Sequence, residues 1–237
     1  MCGRYTLIKL ADLTDLFPWV APPPSQAVSR YNIAPSQPIL AVTNDQPDRY
    51  THLLWGLVPA WAKDPTIGNR MINARAESIA AKPAFKNAFK RRRCLIPADG
   101  FYEWRAQPGG RGKQPMYITR VDGRLFAFAG IWEHWIDDKG NELRTAAVIT
   151  TDANEMMAPI HDRMPVILQP ESFPQWLSDG DADPDDLLPL LRPYPADQLV
   201  ARPVSHLVNS PHNDTPECIA PAAAPPPPKP PDKGLFD

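Results

Sequence analysis

The sequence predicts a single α+β domain built on a large, mainly antiparallel β-sheet with short flanking helices. The chain has 237 residues, 43% of them hydrophobic, which is enough for one sizeable core. Between residues 94 and 168, short runs rich in aromatic and β-branched residues alternate with turn-forming sequences. The short connections between these runs favour hairpins and therefore antiparallel pairing.

The amino-terminal part of the chain is predicted to hold one helix and two strands. The segment LADLTDLFPWV (10–20) has apolar residues at helical spacing and is followed by the proline run 22–24. The short apolar run 39–42 and the segment 50–58 are typical of strands.

Residues 75–93 (RAESIAAKPAFKNAFKRRR) predict two short helices separated at Pro83 and ending in a basic cluster. Two interpretations of this cluster stay open. The arginines are either solvated cations at a helix end, where the helix dipole favours them, or contacts for phosphate groups.

The strand-rich region contains six runs that we predict to be strands: CLIPA, FYEWRA, PMYITR, LFAFAGIWEHW, LRTAAVITT and MPVILQ. Turn-forming sequences lie between them, among them PGGRGK, the Asp122-Gly123 pair and DDKGN. Farther along, Asp183 followed by Pro184 and two more acids predicts the capped start of a late helix, DDLLPLL.

Composition narrows the classes of function. The formal net charge is −2, so a basic surface for nucleic acid must be local. We expect a soluble cytoplasmic protein, since no apolar stretch reaches membrane-spanning length and the amino terminus has no secretory signal. The three cysteines form no CxxC pair and have no metal-ligand spacing from histidine, so we expect reduced thiols, no metal and no cofactor.

The carboxyl-terminal segment has a different composition from the rest. PAAAPPPPKPP (221–231) is typical of an extended polyproline segment that joins no core. We therefore assign residues 1–220 to the domain and 221–237 to a disordered tail. An alternative is that the tail binds a protein partner, since PxxP ligands of recognition domains have similar sequences.

Cys2 is the most informative position for chemistry. A small second residue normally permits removal of Met1, which would leave an α-amine of reference pKa about 7.7–8.0 beside a thiol of about 8.5. Such a 1,2-aminothiol reacts with an aldehyde to give first a Schiff base and then a five-membered thiazolidine. Taken alone, Cys2 is better interpreted as an inert structural cysteine.

Six motifs, in this order along the chain, change that interpretation: MCGRY, RYNIAPSQ (30–37), WGLVPAW (55–61), INARAES (72–78), LIPADGFYEW (95–104) and PIHDRMPVIL (159–168). Together they resemble the SRAP family, the SOS-response-associated peptidases, over roughly residues 2–220. The family includes abasic-site sensors that form DNA–protein crosslinks. The resemblance implies a barrel-like core and a role in the response to DNA damage.

The resemblance also implies four catalytic residues. Cys2 matches the nucleophile, and Asn73 matches the asparagine that orients the nucleophile and the opened sugar. Glu103 matches the residue that handles protons at the amine, and His161 matches the histidine whose proton assists ring opening.

Each of these side chains also has a structural interpretation. Asn73 fits a turn or a cap before a helix at 75–81. Glu103 fits a solvent-facing position on an edge strand, although strand alternation places it on the face of Phe101 and a partly desolvated carboxyl there would have a raised pKa. His161, one of five histidines, fits a packed or surface position.

A further set of residues within the motifs is implied to contact DNA. Three arginines suit phosphate oxygens, two tryptophans suit stacking on bases, and two residues of the NIAP sequence shape a loop over the same cleft. For the tryptophans, core packing is the alternative. The set is Arg4, Asn32, Pro35, Trp61, Arg75, Trp104 and Arg163.

The predicted function is therefore a suicide-type reaction in which Cys2 crosslinks to an abasic site in single-stranded DNA. Strand cleavage by β-elimination (lyase activity) and autoproteolytic removal of Met1 are expected accompanying activities. We expect a monomer that does not bind membranes and that associates with the nucleoid when bound to DNA. The alternatives are an amino-terminal cysteine hydrolase acting on peptide or amide bonds, and a passive DNA-binding or interaction protein.

Overall fold

The computed structural model describes residues 2–23, 27–107, 109 and 112–222. Strands dominate the described residues: β1 Tyr5–Leu7, β2 Arg30–Ile33, β3 Pro38–Thr43, β4 Gln46–Trp55, β5 Asn73–Arg75, β6 Arg93–Ala98, β7 Gly100–Ala106, β8 Lys113–Arg120, β9 Phe126–Ile136, β10 Glu142–Asp152, β11 Arg163–Pro165, β12 Ile167–Leu168 and β13 Leu199–Pro203. The α-helices are short: α1 Leu13–Leu16, α2 Ala76–Ile79, α3 Lys86–Arg91, α4 Phe173–Trp176 and α5 Pro184–Leu187. The predicted α+β class is confirmed.

Five strands close into a barrel. They follow the order β4, β3, β6, β9 and β10, and β10 then pairs with β4 to complete the circle. All of these pairs are antiparallel except β10 with β4, and β5 also joins β10 in parallel. Closure leaves these five strands without an open edge inside the barrel. The barrel thus provides a rigid support for β5 and for β11, which pairs with the end of β10.

A second, five-stranded antiparallel sheet packs against the barrel in the order β13–β8–β7–β1–β2. Its inner face shares one core with the barrel, where the Tyr5 ring lies 5.5 Å from that of Trp55 and 5.7 Å from that of Phe128. On the outer face of the sheet, Gly100 permits a close approach of Tyr117, because a Cβ atom at position 100 would lie 2.3 Å from the Tyr117 ring. Strand β1 lies within this second sheet between β7 and β2, and Cys2 lies three residues before its first residue, Tyr5.

The outer face of this second sheet is covered by residues 205–222, which we call the strap. Val208 and Cys218 of the strap pack on Tyr102 and Tyr117 of the sheet. The Asp214 carboxylate accepts main-chain N–H bonds from β2, at Tyr31 and Asn32. The strap thus joins the domain through both packing and hydrogen bonds. The predicted polyproline tail lies outside the described residues from position 223 onward.

Several predicted elements are confirmed, with changes at their ends. Helices α2 and α3 lie on either side of Pro83, and Asp183 caps α5 by accepting from the Asp185 N–H at 3.0 Å. The predicted helix at 10–20 is wrong in length, since α1 ends at Leu16. Phe17 precedes Pro18, and a residue before proline is disfavoured in the helical conformation. The segment MPVILQ forms two strands, because β11 pairs with β10 whereas β12 pairs with β9.

The basic cluster at the end of α3 is engaged within the protein. Arg93 is fully buried and donates to main-chain carbonyls, including that of Trp176 at 2.7 Å. Arg92 contacts Glu133 at 2.8 Å, and Arg91 pairs with Asp181 at the surface. The buried Arg93 fits neither of the two open interpretations, and Arg91 and Arg92 are paired with carboxylates.

Membrane-spanning helices and metal clusters are both absent from the described residues. No helix in this part of the chain combines the length and apolar character needed to cross a bilayer. No group of three or more His, Cys, Asp or Glu side chains there could hold a metal ion. The three cysteines are free thiols, and all three are buried.

Candidate functional site

Cys2 lies at the junction of sheet and barrel and is fully buried. Its main-chain carbonyl accepts a hydrogen bond from the Asn73 side-chain amide at 2.8 Å. Burial, and then the charge of Glu103, raise the pKa of the Cys2 thiol far above its usual value, although the main-chain N–H of Arg4 opposes this. This environment therefore favours the neutral thiol over the thiolate.

Asn73 is positioned by the barrel. It opens β5, where it pairs with Val148 of β10, so its backbone is fixed by the parallel ladder. Its Oδ1 atom is buried and has no hydrogen-bond partner among the described residues. The residue at the start of α2 is Arg75, not Asn73, so the interpretation of Asn73 as a helix cap is not supported. One end of the amide holds Cys2 and the other end is an available acceptor.

Glu103 lies on the inner face of β7, where only 2% of its surface is exposed. The predicted alternation holds, because Phe101 shares the core with Cys2 whereas Tyr102 and Trp104 pack on the outer face. Burial raises the pKa of the Glu103 carboxyl, and the nearby charge of His161 works against that rise. A solvent-facing edge glutamate is thereby excluded.

His161 follows the turn that leads into β11 and is partly buried, with 24% of its side chain exposed. The Arg163 main-chain N–H donates to its Nδ1 atom at 3.0 Å. The electrostatic interaction of His161 with Glu103, and of Glu103 with Cys2, places all three side chains in one neighbourhood. The structure therefore brings together Cys2, Asn73, Glu103 and His161.

Three of the residues predicted to contact DNA are held by other protein groups. The Arg4 guanidinium donates to the Asn32 side chain at 2.9 Å and to the Val208 carbonyl at 2.6 Å. Asn32 is fully buried. Arg163 is held by the Glu77 and Asp152 carboxylates, with both closest contacts at 2.7 Å. Phosphate binding stays a prediction for these residues, and it would have to compete with existing partners.

The side chains of the other residues predicted to contact DNA are more exposed to solvent. Trp61 is 61% exposed and borders a groove that Lys63 and Arg70 also line, so the alternative of core packing is excluded for it. Arg75 is exposed as well. Trp104 is partly buried, its indole N–H donates to the Asn209 side chain at 2.8 Å, and the Arg4 guanidinium lies 5.7 Å from its ring centroid.

Pro35 lies in the turn between β2 and β3. The next residue, Ser36, has φ 65°, and its hydroxyl donates to the Asn69 side chain at 2.8 Å. A left-handed conformation is uncommon for a residue other than glycine, and here the turn geometry imposes it. The Ser36 main-chain N–H also donates to the Trp55 carbonyl, so Pro35 belongs to a connection that is fixed at both ends.

Comparison with known proteins identifies the family. The profile of the SOS response associated peptidase (SRAP) family matches residues 1–211. The chain belongs to the SRAP family. The abasic site processing protein YoqW of Bacillus subtilis (strain 168) is 49% identical over 223 residues, covering 92% of this chain and 99% of that protein. The abasic site processing protein HMCES of Rattus norvegicus is 36% identical over 197 residues, covering 71% of this chain and 55% of that protein.

Solved structures agree with the SRAP assignment. A protein from Bacteroides thetaiotaomicron superposes with a TM-score of 0.83 at 28% identity, covering 94% of this chain and 100% of that one. A phage-related protein from Bordetella bronchiseptica superposes with a TM-score of 0.69 at 30% identity, covering 86% of this chain and 94% of that one. The barrel and its second sheet are therefore shared beyond this chain.

Glu77 is the residue of this SRAP site that sequence reasoning did not single out. It lies within the INARAES motif, four residues after Asn73, and its carboxylate contacts Arg163 through both oxygens. Its position in a motif was the available signal. The partner could not be read from the sequence, because Arg163 is brought to it only by β11.

Proposed function

We propose that this protein processes abasic sites by forming a covalent crosslink between Cys2 and the sugar aldehyde in single-stranded DNA. The names of the relatives support abasic-site processing. The observation that carries the finer proposal is the position of Cys2, which is buried beside Glu103 with its carbonyl held by Asn73. Such an arrangement fixes the orientation of one amino-terminal residue, as a reaction between two small groups requires.

The reaction begins after Met1 is removed, which turns the Cys2 nitrogen from an amide into an amine. At the abasic sugar, the ring oxygen gains a proton and the C1′ hydroxyl loses one, which opens the hemiacetal to an aldehyde. The amine adds to this aldehyde and water leaves, giving an imine. The thiol sulfur then bonds to the imine carbon while its proton passes to nitrogen, and the thiazolidine closes.

The raised pKa of the Cys2 thiol supports an order of events in which the amine reacts first. A protonated thiol is a poor nucleophile toward an unactivated carbonyl, whereas it can close on an adjacent imine. Hydrolysis of a separate amide substrate, the alternative of an amino-terminal cysteine hydrolase, would have to begin with the thiol instead of the amine. The aldehyde chemistry therefore suits this environment better.

Glu103 and His161 suit the proton transfers. A buried carboxyl with a raised pKa can take a proton from the attacking amine and return it to the departing water. A histidine can donate a proton to the sugar ring oxygen near neutral pH. The imine also permits β-elimination, so we include strand cleavage as a side reaction, and removal of Met1 by the site itself as its activating step.

The groove beside Trp61 supports binding of a single strand. An exposed tryptophan offers a stacking surface for a base, worth about 1–3 kcal/mol for each stacked base. Lys63 and Arg70 line the same groove with one carboxylate, Asp64, so the excess charge of its lining is positive, which suits a phosphate backbone even though the chain as a whole is slightly acidic.

A denaturing gel tests the proposal directly. Protein lacking Met1, verified by mass spectrometry, is incubated with single-stranded DNA carrying one abasic site. We expect a slowly migrating band whose durability Cys2→Ala reduces, because that variant keeps the amine but has no thiol, and that the matched control Cys218→Ala, also a buried free cysteine, retains unchanged. Cys2→Ser keeps the amine but cannot close the thiazolidine, so its adduct should be shorter-lived.

Three results would contradict the proposal. A band of equal yield and durability in wild type and Cys2→Ser would remove the thiol from the reaction. An active protein that still carries Met1 would remove the amine. Hydrolysis of an amide substrate in the absence of any DNA adduct would favour the hydrolase instead.

A further inference from the structure

We infer that Glu77 is a positioning residue for His161: its contact with Arg163 fixes the turn that holds the imidazole with the proton on Nε2. The inference rests on the proposed function, since it concerns the histidine that assists opening of the sugar ring. Glu77 itself lies outside the reacting groups and acts through Arg163.

The first step is the ion pair between Glu77 and Arg163. Nη1 of Arg163 lies 2.7 Å from Oε1 of Glu77, and Nη2 lies 3.0 Å from Oε2, a two-point contact that fixes the plane of the guanidinium. Nη2 also donates to the Thr150 carbonyl at 2.7 Å, and only 10% of the Arg163 side chain is exposed. Arg163 is therefore held rigidly against β10.

The second step links Arg163 to the imidazole. The main-chain N–H of Arg163 donates to Nδ1 of His161 at 3.0 Å. A neutral imidazole whose Nδ1 accepts a hydrogen bond carries its proton on Nε2. The side chain of Arg163 thus anchors the same residue whose backbone selects the tautomer.

A second contact at Nδ1 of His161 favours the other tautomer, with the proton on Nδ1. The Asp162 carboxylate lies 2.8 Å from Nδ1, as if to accept a proton from it. The Asp162 side chain is 87% exposed and can turn to water, whereas the main-chain donor belongs to Arg163, whose side chain is held by Glu77. The main-chain bond therefore decides the tautomer of the neutral ring.

Glu77 is better placed than Asp152 to provide this anchor. Asp152 contacts Nη1 through a single oxygen and is 78% exposed, whereas Glu77 uses both oxygens and is 49% exposed. Glu77 also lies on α2, directly after β5, which carries Asn73. Its contact with Arg163 consequently joins the element that bears Asn73 to the turn that bears His161.

The pair is ionised at neutral pH. Partial burial favours the neutral carboxyl, but the hydrogen bond and the charge of Arg163 outweigh it and lower the pKa of Glu77. Glu77→Gln removes the charge and replaces one acceptor oxygen with an amide nitrogen that Arg163 cannot donate to. This variant loosens the turn with almost no change in side-chain volume.

The test compares two DNA substrates, of which only one needs its sugar ring opened before it can react. One carries an abasic sugar, which must be opened, and the other carries an acyclic aldehyde at the same position, which needs no ring opening. We expect Glu77→Gln to slow crosslinking of the abasic strand by about 10- to 100-fold and to leave the acyclic aldehyde nearly unaffected. Equal slowing on both substrates, or none on either, would overturn the inference.

The matched control is Asp45→Asn. Asp45 also contacts an arginine, Arg144, through both oxygens, at 3.0 and 2.8 Å, but it lies in the turn between β3 and β4 and touches none of the four proposed catalytic residues. This variant should react with both substrates at the wild-type rate. Thermal unfolding of each variant verifies that the fold is kept.

Nitrogen NMR of the imidazoles gives a readout that needs no crosslink. Long-range ¹H–¹⁵N spectra above the titration range should show His161, assigned with His161→Gln, as the Nε2–H tautomer in wild type and as a mixture in Glu77→Gln. An unchanged tautomer in Glu77→Gln refutes the positioning role. Failure of the wild type to crosslink either substrate refutes the proposed function alone, and the NMR result still decides the role of Glu77.

Discussion

Replacing Asn32 with alanine should destabilise the protein by releasing the strap. The sequence motif suggested that Asn32 shapes a DNA-binding loop. In the structure its side-chain amide donates toward three strap carbonyls, at 3.2 Å to Val208, 3.0 Å to Ser210 and 2.6 Å to Asn213. Its Oδ1 accepts from Arg4 at 2.9 Å, and the residue is fully buried.

The expected loss in the free energy of unfolding follows from the number of hydrogen bonds that Asn32 makes. The amide has two hydrogens to share among three carbonyls, so two donated bonds and one accepted bond are lost. At about 1 kcal/mol net for each, Asn32→Ala should cost roughly 3 kcal/mol. For a chain of this size that corresponds to a fall in Tm of about 6–12 °C.

Two measurements test this. Thermal or urea unfolding gives the loss of stability, and hydrogen exchange locates it. Main-chain amides of residues 205–222 should exchange roughly 100-fold faster than in wild type, because the bonds to Asn32 hold the strap. Asn141→Ala is the control, since the Asn141 side chain donates to Asp137 within an exposed hairpin turn, and its loss should change stability by less than about 1 kcal/mol.

The reasoning is refuted if Asn32→Ala weakens DNA binding while stability and strap protection stay at wild-type values. That result would return Asn32 to direct DNA contact. A loss of stability with an unaffected strap would also contradict it, because the bonds to the strap would then not be the cause.

Three further perturbations follow from the structure. Burial raises the pKa of the Glu103 carboxyl, so the protonated side chain contributes stability below its unfolded pKa of about 4.3, and this contribution is lost as pH rises through the folded pKa. Glu103→Gln should therefore be more stable than wild type at neutral pH but not at low pH. Urea unfolding at both pH values would show the difference. Gly100→Ala should destabilise the fold by about 1–3 kcal/mol, since the new Cβ would lie 2.3 Å from the Tyr117 ring; a wild-type midpoint would contradict this contact. Trp61→Ala should leave stability within about 0.5 kcal/mol and weaken single-stranded DNA binding by about 1–3 kcal/mol, measured by fluorescence anisotropy; unchanged affinity would remove Trp61 from the groove.

Much of the sheet could be predicted from local pattern. The long strands β9 and β10 contain β-branched and aromatic runs bounded by turn sequences, and α5 has a capping aspartate followed by proline. The short strands β1, β2 and β13 could not be predicted in this way. They have three to five residues each and owe their form to pairing with distant parts of the chain.

The candidate site also divides into features that the local sequence predicts and features that it does not. Cys2, Asn73, Glu103 and His161 could be named from the motifs, because those motifs match the SRAP family at these positions. The partners of the arginines could not be named. Nothing local distinguishes the exposed Arg75 from Arg163, which is buried between carboxylates.

By itself, the sequence determined which reactive groups are present and the alternation that places Glu103 on the inner face of its strand. Those properties depend on residue type and on a period of two residues, both of which are local. Only the tertiary structure decided that burial raises the pKa of the Cys2 thiol, that Asn32 holds the strap and that Glu77 reaches Arg163. Burial and ion pairing depend on which distant segments meet, and here they meet because the barrel closes and the second sheet folds onto it.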